Sequence, residues 1–308
     1  MFQTAFESIA LLVICMAIGF AAKKGQVIKN KDMPGLSGLT LNIALPCFMI
    51  MSMQREFDIY IFRNSLMVMA LAAVIHTVCL LLSLPVTKIL KAGEEEKPVL
   101  MFAFTFPNIG LMGIPIIYAM YGAEAMFYAA MINVVFNVML FTAGMAIMRG
   151  GAERGRINFK TIVLNKLMLA TIIGFLLFLF SVRLPSVLGT ALSLVGNMTT
   201  PLAMIVIGSM LADNELKSVL NGYKVYAAVL FRLLIIPLLV FFTLRSVIAD
   251  ELAVTVLTVL TAMPVAVIVA IFAAEHNKEP QMASKLVFIS TVLSIFTIPL
   301  IVLITSSG

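Results

Sequence analysis

Charge is scarce in this sequence. Of 308 residues only 12% are Asp, Glu, Lys or Arg, while 62% are hydrophobic and the mean hydropathy is +1.10. Water-soluble domains carry about twice that share of charge, so soluble enzymes and secreted scaffolds are excluded. Carboxylates are absent from the long apolar runs apart from Glu7 and Glu124, which stand near run ends. Histidine is limited to His76 and His276, the second of which adjoins a loop. An intramembrane protease would need two facing aspartates, a serine with a histidine base or a metal-binding set, and none of these forms. No enzyme activity, cofactor or metal is therefore expected. The three cysteines, Cys15, Cys47 and Cys79, all lie inside apolar runs and read as small core residues. The net charge of +6 does not point to nucleic acid, because the basic residues fall in short gaps between apolar runs and do not cluster on one stretch.

What remains is hydrophobic sequence in blocks. Roughly 190 apolar residues, at about 20 for each bilayer-crossing helix, leave room for nine or ten spans. Runs free of charge mark ten: 8–22, 33–54, 64–87, 98–123, 125–148, 167–182, 184–212, 225–244, 252–274 and 286–308, with Arg232 inside the eighth. Irregular backbone cannot face lipid and these runs do not alternate as barrel strands do, so the expected fold is an all-α polytopic membrane protein. The first run has no Lys or Arg before it, so it reads as a retained helix, not a cleaved leader.

Loop charge orients the chain. The odd-numbered loops hold 16 of the 21 basic residues and the even-numbered loops hold 4. Cytoplasmic loops retain positive residues, so both termini are expected outside a cytoplasmic membrane. The basic stretch 149–166 then becomes a cytoplasmic linker between a first five-helix repeat, 1–148, and a second, 167–308.

The halves resemble each other. Pro46 precedes Cys-Phe-Met-Ile-Met-Ser-Met in span two, and Pro201 precedes Leu-Ala-Met-Ile-Val-Ile-Gly-Ser-Met in span seven. Pro46 to Pro107 covers 61 positions and Pro201 to Pro264 covers 63. Five helices per half is an odd number, so the second copy enters the membrane from the opposite side. This predicts an inverted 5+5 repeat of ten transmembrane helices.

Span four is weakened at its centre by Pro107, Asn108, Gly110, Gly113 and Pro115. Pro107 lacks an amide hydrogen and crowds the carbonyl of Ala103; Pro115 does the same to Leu111. The glycines add flexibility and allow close backbone approach, and Asn108 can bond freed backbone groups or a ligand. Pro264 predicts a matching break in span nine. Two broken helices crossing mid-bilayer would aim half-helix amino ends, partly positive, into a cavity. With no deep carboxylate beside them, such a site favours an organic anion over a bare cation.

The string Pro107-Asn108-Ile109-Gly110-Leu111-Met112-Gly113-Ile114-Pro115, continued by Ala119-Met120-Tyr121-Gly122, resembles the fourth-span signature of the auxin efflux carrier family. Bacterial members of that family are associated with malate and malonate. The resemblance extends over nearly the whole chain and implies a fold like that of bile-acid and sodium/proton carriers. In that fold helices one, two, six and seven form a scaffold, helices three to five and eight to ten form a transport domain, and helices four and nine are broken and cross. It also implies a homodimer and an elevator-like motion. The long central loop of the plant members has no counterpart here, and span nine matches the family less distinctly.

Polar groups inside spans are functional candidates by default. Arg232 could attract an anionic substrate, or hold carbonyls of a neighbouring helix and so act in gating. His76 could relay a proton, or be a buried neutral ring bonded to a backbone carbonyl. Asn137 joins these two as a gating or relay candidate, although most neutral polar residues in such spans pack helices together. Asn42, Asn197 and Thr199 lie just before the matched prolines Pro46 and Pro201 and are expected to line the substrate path with the Pro107 segment. The expected function is secondary transport of a small mono- or dicarboxylate, within the lipid bilayer, with a coupling proton or sodium left open. A cation-coupled antiporter is the alternative, using His76 and the carbonyls freed by Pro107 and Pro264.

Overall fold

The structure is a computed structural model that describes residues 2–149, 164–212 and 222–307. The linker expected at 149–166 lies mostly outside these residues. Every regular element described is helical, as lipid demands of a chain with apolar runs this long. Helix α1 spans Phe2–Lys24; α2, Met33–Leu39, joins α3, Leu45–Ser52, through a wide i→i+5 turn at Thr40–Ala44. Next come α4, Ile59–Ile89, and α5, Glu96–Thr105. A wide turn at Ile109–Gly113 leads into α6, Ile114–Met139, and another at Leu140–Gly144 into α7, Met145–Arg149.

The second half holds α8, Lys166–Leu179, α9, Ser186–Gly196, and α10, Thr199–Ala212. Then α11, Tyr223–Leu230, passes through a wide turn at Phe231–Ile235 into α12, Ile236–Arg245. Last are α13, Glu251–Thr261, α14, Ile268–Glu275, and α15, Pro280–Ser307. Asn165 and Asp250 start α8 and α13 by accepting hydrogen bonds from first-turn amides. Six helical runs among the described residues are long and apolar enough to cross a bilayer: Asn30–Ser52, Ile59–Ile89, Ile109–Arg149, Ser186–Ala212, Tyr223–Arg245 and Pro280–Thr305.

Two details of these runs follow from backbone chemistry. Gly122 has φ 74° and ψ −161°, a region open essentially to glycine alone, and it bends the helical run near the end of the stretch read as span four. Pro46, Pro115 and Pro237 each stand two residues beyond the end of a wide turn. Proline cannot bond the carbonyl four residues back and crowds it, and a widened turn moves that carbonyl off the ring.

The chain divides into two compact units. The first comprises Met1–Met69, Gly110–Val134 and Phe159–Asp213. Its tightest joint pairs α1 with α10. A β-carbon on Gly19 would lie 2.2 Å from the Ile205 carbonyl oxygen, and one on Gly208 would lie 1.9 Å from that of Met16. Buried Ser209 donates to the Gly19 carbonyl at 3.0 Å. Lipid gives apolar helices little reason to associate, so small residues that bring backbones together carry the packing. Phe127 and Phe178, ring centroids 4.7 Å apart, fill another part of this unit.

The second unit comprises Ala70–Ile109, Val135–Asn158 and Asn214–Gly308. Phe102, Phe106 and Phe136 form its aromatic centre, and a β-carbon on Gly144 would meet the Phe102 and Phe106 rings at 3.2 Å. One end of the unit is tied by charge. Glu96 pairs with Lys224, Glu95 with Lys278, and the Tyr223 hydroxyl donates to the Leu90 carbonyl. The Lys224 hydrogen bond, helped by one from the Gly93 amide, holds the Glu96 carboxyl below the usual carboxylate range.

Candidate functional site

Helices α5 and α13 end at Thr105 and Thr261, inside the stretches read as spans four and nine. The two unwound segments lie against each other in the second unit. Pro107 stands opposite Val265 as an antiparallel bridge, flanked by Asn108 N donating to the Pro264 carbonyl at 2.8 Å and Ala266 N donating to the Phe106 carbonyl at 3.1 Å. In this register the residue opposite Val265 donates nothing to the ladder, so proline fits without loss. The matching outward amide, Val265 N, donates to the Ser290 hydroxyl of α15 at 3.1 Å. Pro264 thus ends its helix as completely as Pro107 does, although neither glycine nor asparagine adjoins it.

Pro107 removes the amide that Ala103 would have used, and the Asn108 amide has turned to Pro264, leaving Phe104 without its helical donor. Arg232 replaces it: Nη1 donates to the Phe104 carbonyl at 3.1 Å and Nε to the Met263 carbonyl at 3.2 Å. Its side chain is 1% exposed, and it takes part in none of the ion pairs among the described residues. A buried cation ordinarily requires a paired anion. Here the compensation comes from the carboxyl ends of α5 and α13, each worth roughly half a negative charge. Of the two readings open for Arg232 in the sequence, the structure supplies the contacts of the second, the hold on neighbouring carbonyls.

Three polar atoms at this place have no protein partner: Asn108 Nδ2, Arg232 Nη2 and His76 Nε2. All belong to residues at most 5% exposed. The His76 ring is held by Nδ1 against the Ala72 carbonyl at 2.8 Å and lies beside Phe106 and Phe136. That bond makes Nδ1 the protonated nitrogen of the neutral ring and Nε2 an acceptor. Asn137 is buried in the same unit, on the last turns of α6.

The remaining sequence candidates belong to the first unit. Gly110 and Gly113 lie in the wide turn that restarts the helix, with Pro115 just beyond it. Close backbone approach does not explain Gly110, because an added β-carbon would meet only Leu41 Cδ2, at 4.0 Å. Asn42 is exposed in the wide turn between α2 and α3, and Asn197 is exposed at the end of α9. Thr199 is 1% exposed and its hydroxyl has no partner. The structure therefore gathers Pro107, Asn108, Pro264, Arg232 and His76 in one unit. Sequence reading gave no part to Ser290. A hydroxyl on the last apolar run was its signal, but the pairing with Val265 depends on tertiary contact. No group of three or more His, Cys, Asp or Glu able to hold a metal occurs among the described residues.

Comparison with known proteins gives the family. An uncharacterized transporter of Methanocaldococcus jannaschii is 23% identical over 303 residues, covering 96% of each chain. An uncharacterized transporter of Methanothermobacter thermautotrophicus is 22% identical over 301 residues, covering 97% of this chain and 98% of the relative. The profile of the family described as membrane transport protein matches residues 4–302. The chain, a multi-pass membrane protein by its apolar helices and by this match, therefore belongs to the membrane transport protein family, that of the auxin efflux carriers.

Proposed function

We propose that this protein is a secondary transporter of a small organic anion, a mono- or dicarboxylate, which it binds where the two interrupted helices meet. The observation that carries the proposal is the bridge at Pro107 and Val265, which leaves the buried Asn108 Nδ2 as a donor without a protein acceptor. A carboxylate supplies such an acceptor, and the amino ends of the helical segments that restart at Ile109 and Ile268 favour negative charge beside it.

The cation-coupled alternative requires carbonyls free to coordinate an ion. The carbonyls of Phe104, Phe106, Pro107, Met263, Pro264 and Ala266 already accept hydrogen bonds, and the full charge of Arg232 lies among them. Both facts weigh toward the anion.

The wider architecture belongs to the same proposal: ten spans in an inverted 5+5 repeat, scaffold helices one, two, six and seven, and a transport domain that carries the crossing in an elevator-like movement within a homodimer. Asn42, Asn197 and Thr199 remain candidates for lining the substrate path, and both termini face outside the cytoplasmic membrane. Uptake of a radiolabelled dicarboxylate by cells producing the protein should exceed that of control cells. Equal uptake or efflux across a series of mono- and dicarboxylates would refute the anion assignment.

A further inference from the structure

We infer that Arg232 is a positioning residue that sets the sign of charge the crossing accepts; this rests on the transport reading above and deepens it. Each of the two helices that run into the crossing, α5 and α13, ends there with carbonyls that have lost their helical donors, so each brings a partial negative charge of roughly one half. Uncompensated, the pair would present about one full negative charge to an arriving ligand and would repel a carboxylate. Arg232 places one positive charge between them and bonds one carbonyl from each segment. With the carboxyl ends neutralised, the restarting amino ends dominate the field.

Lysine could supply the charge but not the fork, because its ammonium is a point donor, whereas the planar guanidinium holds two acceptors in fixed directions. Arg232 itself stands second in the wide turn Phe231–Ile235. Such a turn inserts a residue into the helical register, a device common where a side chain must be re-aimed. Glutamine in its place would remove the charge and retain a short polar side chain.

The test uses the full-length protein in detergent, with succinate as the anionic probe and succinamide as its neutral match. Ligand affinity is read from the thermal shift, and amide exchange at Asn108 and Ala266 reports on the bridge. In the wild type, succinate should stabilise and succinamide should not. Arg232→Gln should weaken succinate by about tenfold or more and accelerate exchange at both amides. Arg232→Lys should keep succinate affinity within about threefold while exchange still accelerates, separating charge from fork.

If Arg232→Gln binds succinate as the wild type does, the inference is overturned. If Arg232→Gln does not fold, Arg232→Lys decides: a folded variant that binds succinate supports charge as the reason, and an equally unfolded one overturns it. A wild type that responds to no carboxylate refutes the proposed function. Unchanged exchange at Asn108 and Ala266 in Arg232→Gln refutes the positioning role separately.

Discussion

Pro107 and Val265 face each other across a two-bond antiparallel bridge, one a residue with no amide hydrogen and the other a residue whose amide is taken by Ser290. The asymmetry makes Ser290 the weak point of the crossing. Ser290→Ala leaves the Val265 amide buried without an acceptor, a loss of about 1–3 kcal/mol. The expected result is a lower melting temperature, with faster exchange at Val265. A melting temperature unchanged from wild type would show that this hydroxyl is dispensable.

Asn108→Ala should separate function from stability. Its side-chain nitrogen donates to nothing in the protein, while its backbone amide, which the substitution keeps, makes the bond to Pro264. Stability is expected to stay within about 1 kcal/mol of wild type, whereas carboxylate uptake should fall by tenfold or more, as for loss of one charge-assisted hydrogen bond, about 1.5–3 kcal/mol. Transport assays on purified, reconstituted protein beside a thermal melt distinguish the two effects.

Two glycines are irreplaceable for different reasons. Gly208→Ala drives a β-carbon into the Met16 backbone at 1.9 Å, which no rotamer change relieves. It should cost about 1–3 kcal/mol or more by forcing α1 and α10 apart. Gly122→Ala meets no neighbour within 4 Å, yet forces a side chain into a glycine-only conformation, φ 74° and ψ −161°, at a cost of about 1–3 kcal/mol. Unfolding measurements should therefore find both variants destabilised, although a purely steric view would pass the second as harmless.

The Glu96–Lys224 contact sets a pH dependence. Lys224 and the Gly93 amide hold the Glu96 carboxyl below its ordinary value of 4.5, so its contribution to stability is complete above that pH and is lost as pH falls through the folded value. Glu96→Gln should melt slightly below wild type at neutral pH and converge with it in acid. Parallel curves across the acid range would show that the carboxylate contributes nothing there. The pair is partly exposed, so the difference should shrink in high salt.

Much of this molecule is legible in one dimension, for a reason particular to membranes. Lipid leaves backbone groups no partner outside the helix, so length and apolarity alone decide that these runs are helical. Pro107 and Pro264 are readable as breaks because a missing amide hydrogen is a local property that no neighbour restores. By contrast Gly122, near the end of the fourth apolar run, is not read as a bend in the sequence; its φ of 74° appears only in the folded backbone. Gly110 looks like a point of close backbone approach, yet only a side-chain atom, Leu41 Cδ2, would stand near an added β-carbon, at 4.0 Å.

What only the tertiary structure decided is which groups answer the breaks. The bonds of Arg232 to Phe104 and Met263 reach 128 and 31 positions along the chain, and Ser290 reaches back 25 to Val265. No periodicity encodes such distances. They arise because a carbonyl or amide orphaned inside lipid must find a partner wherever packing brings one, and packing is a property of the folded chain.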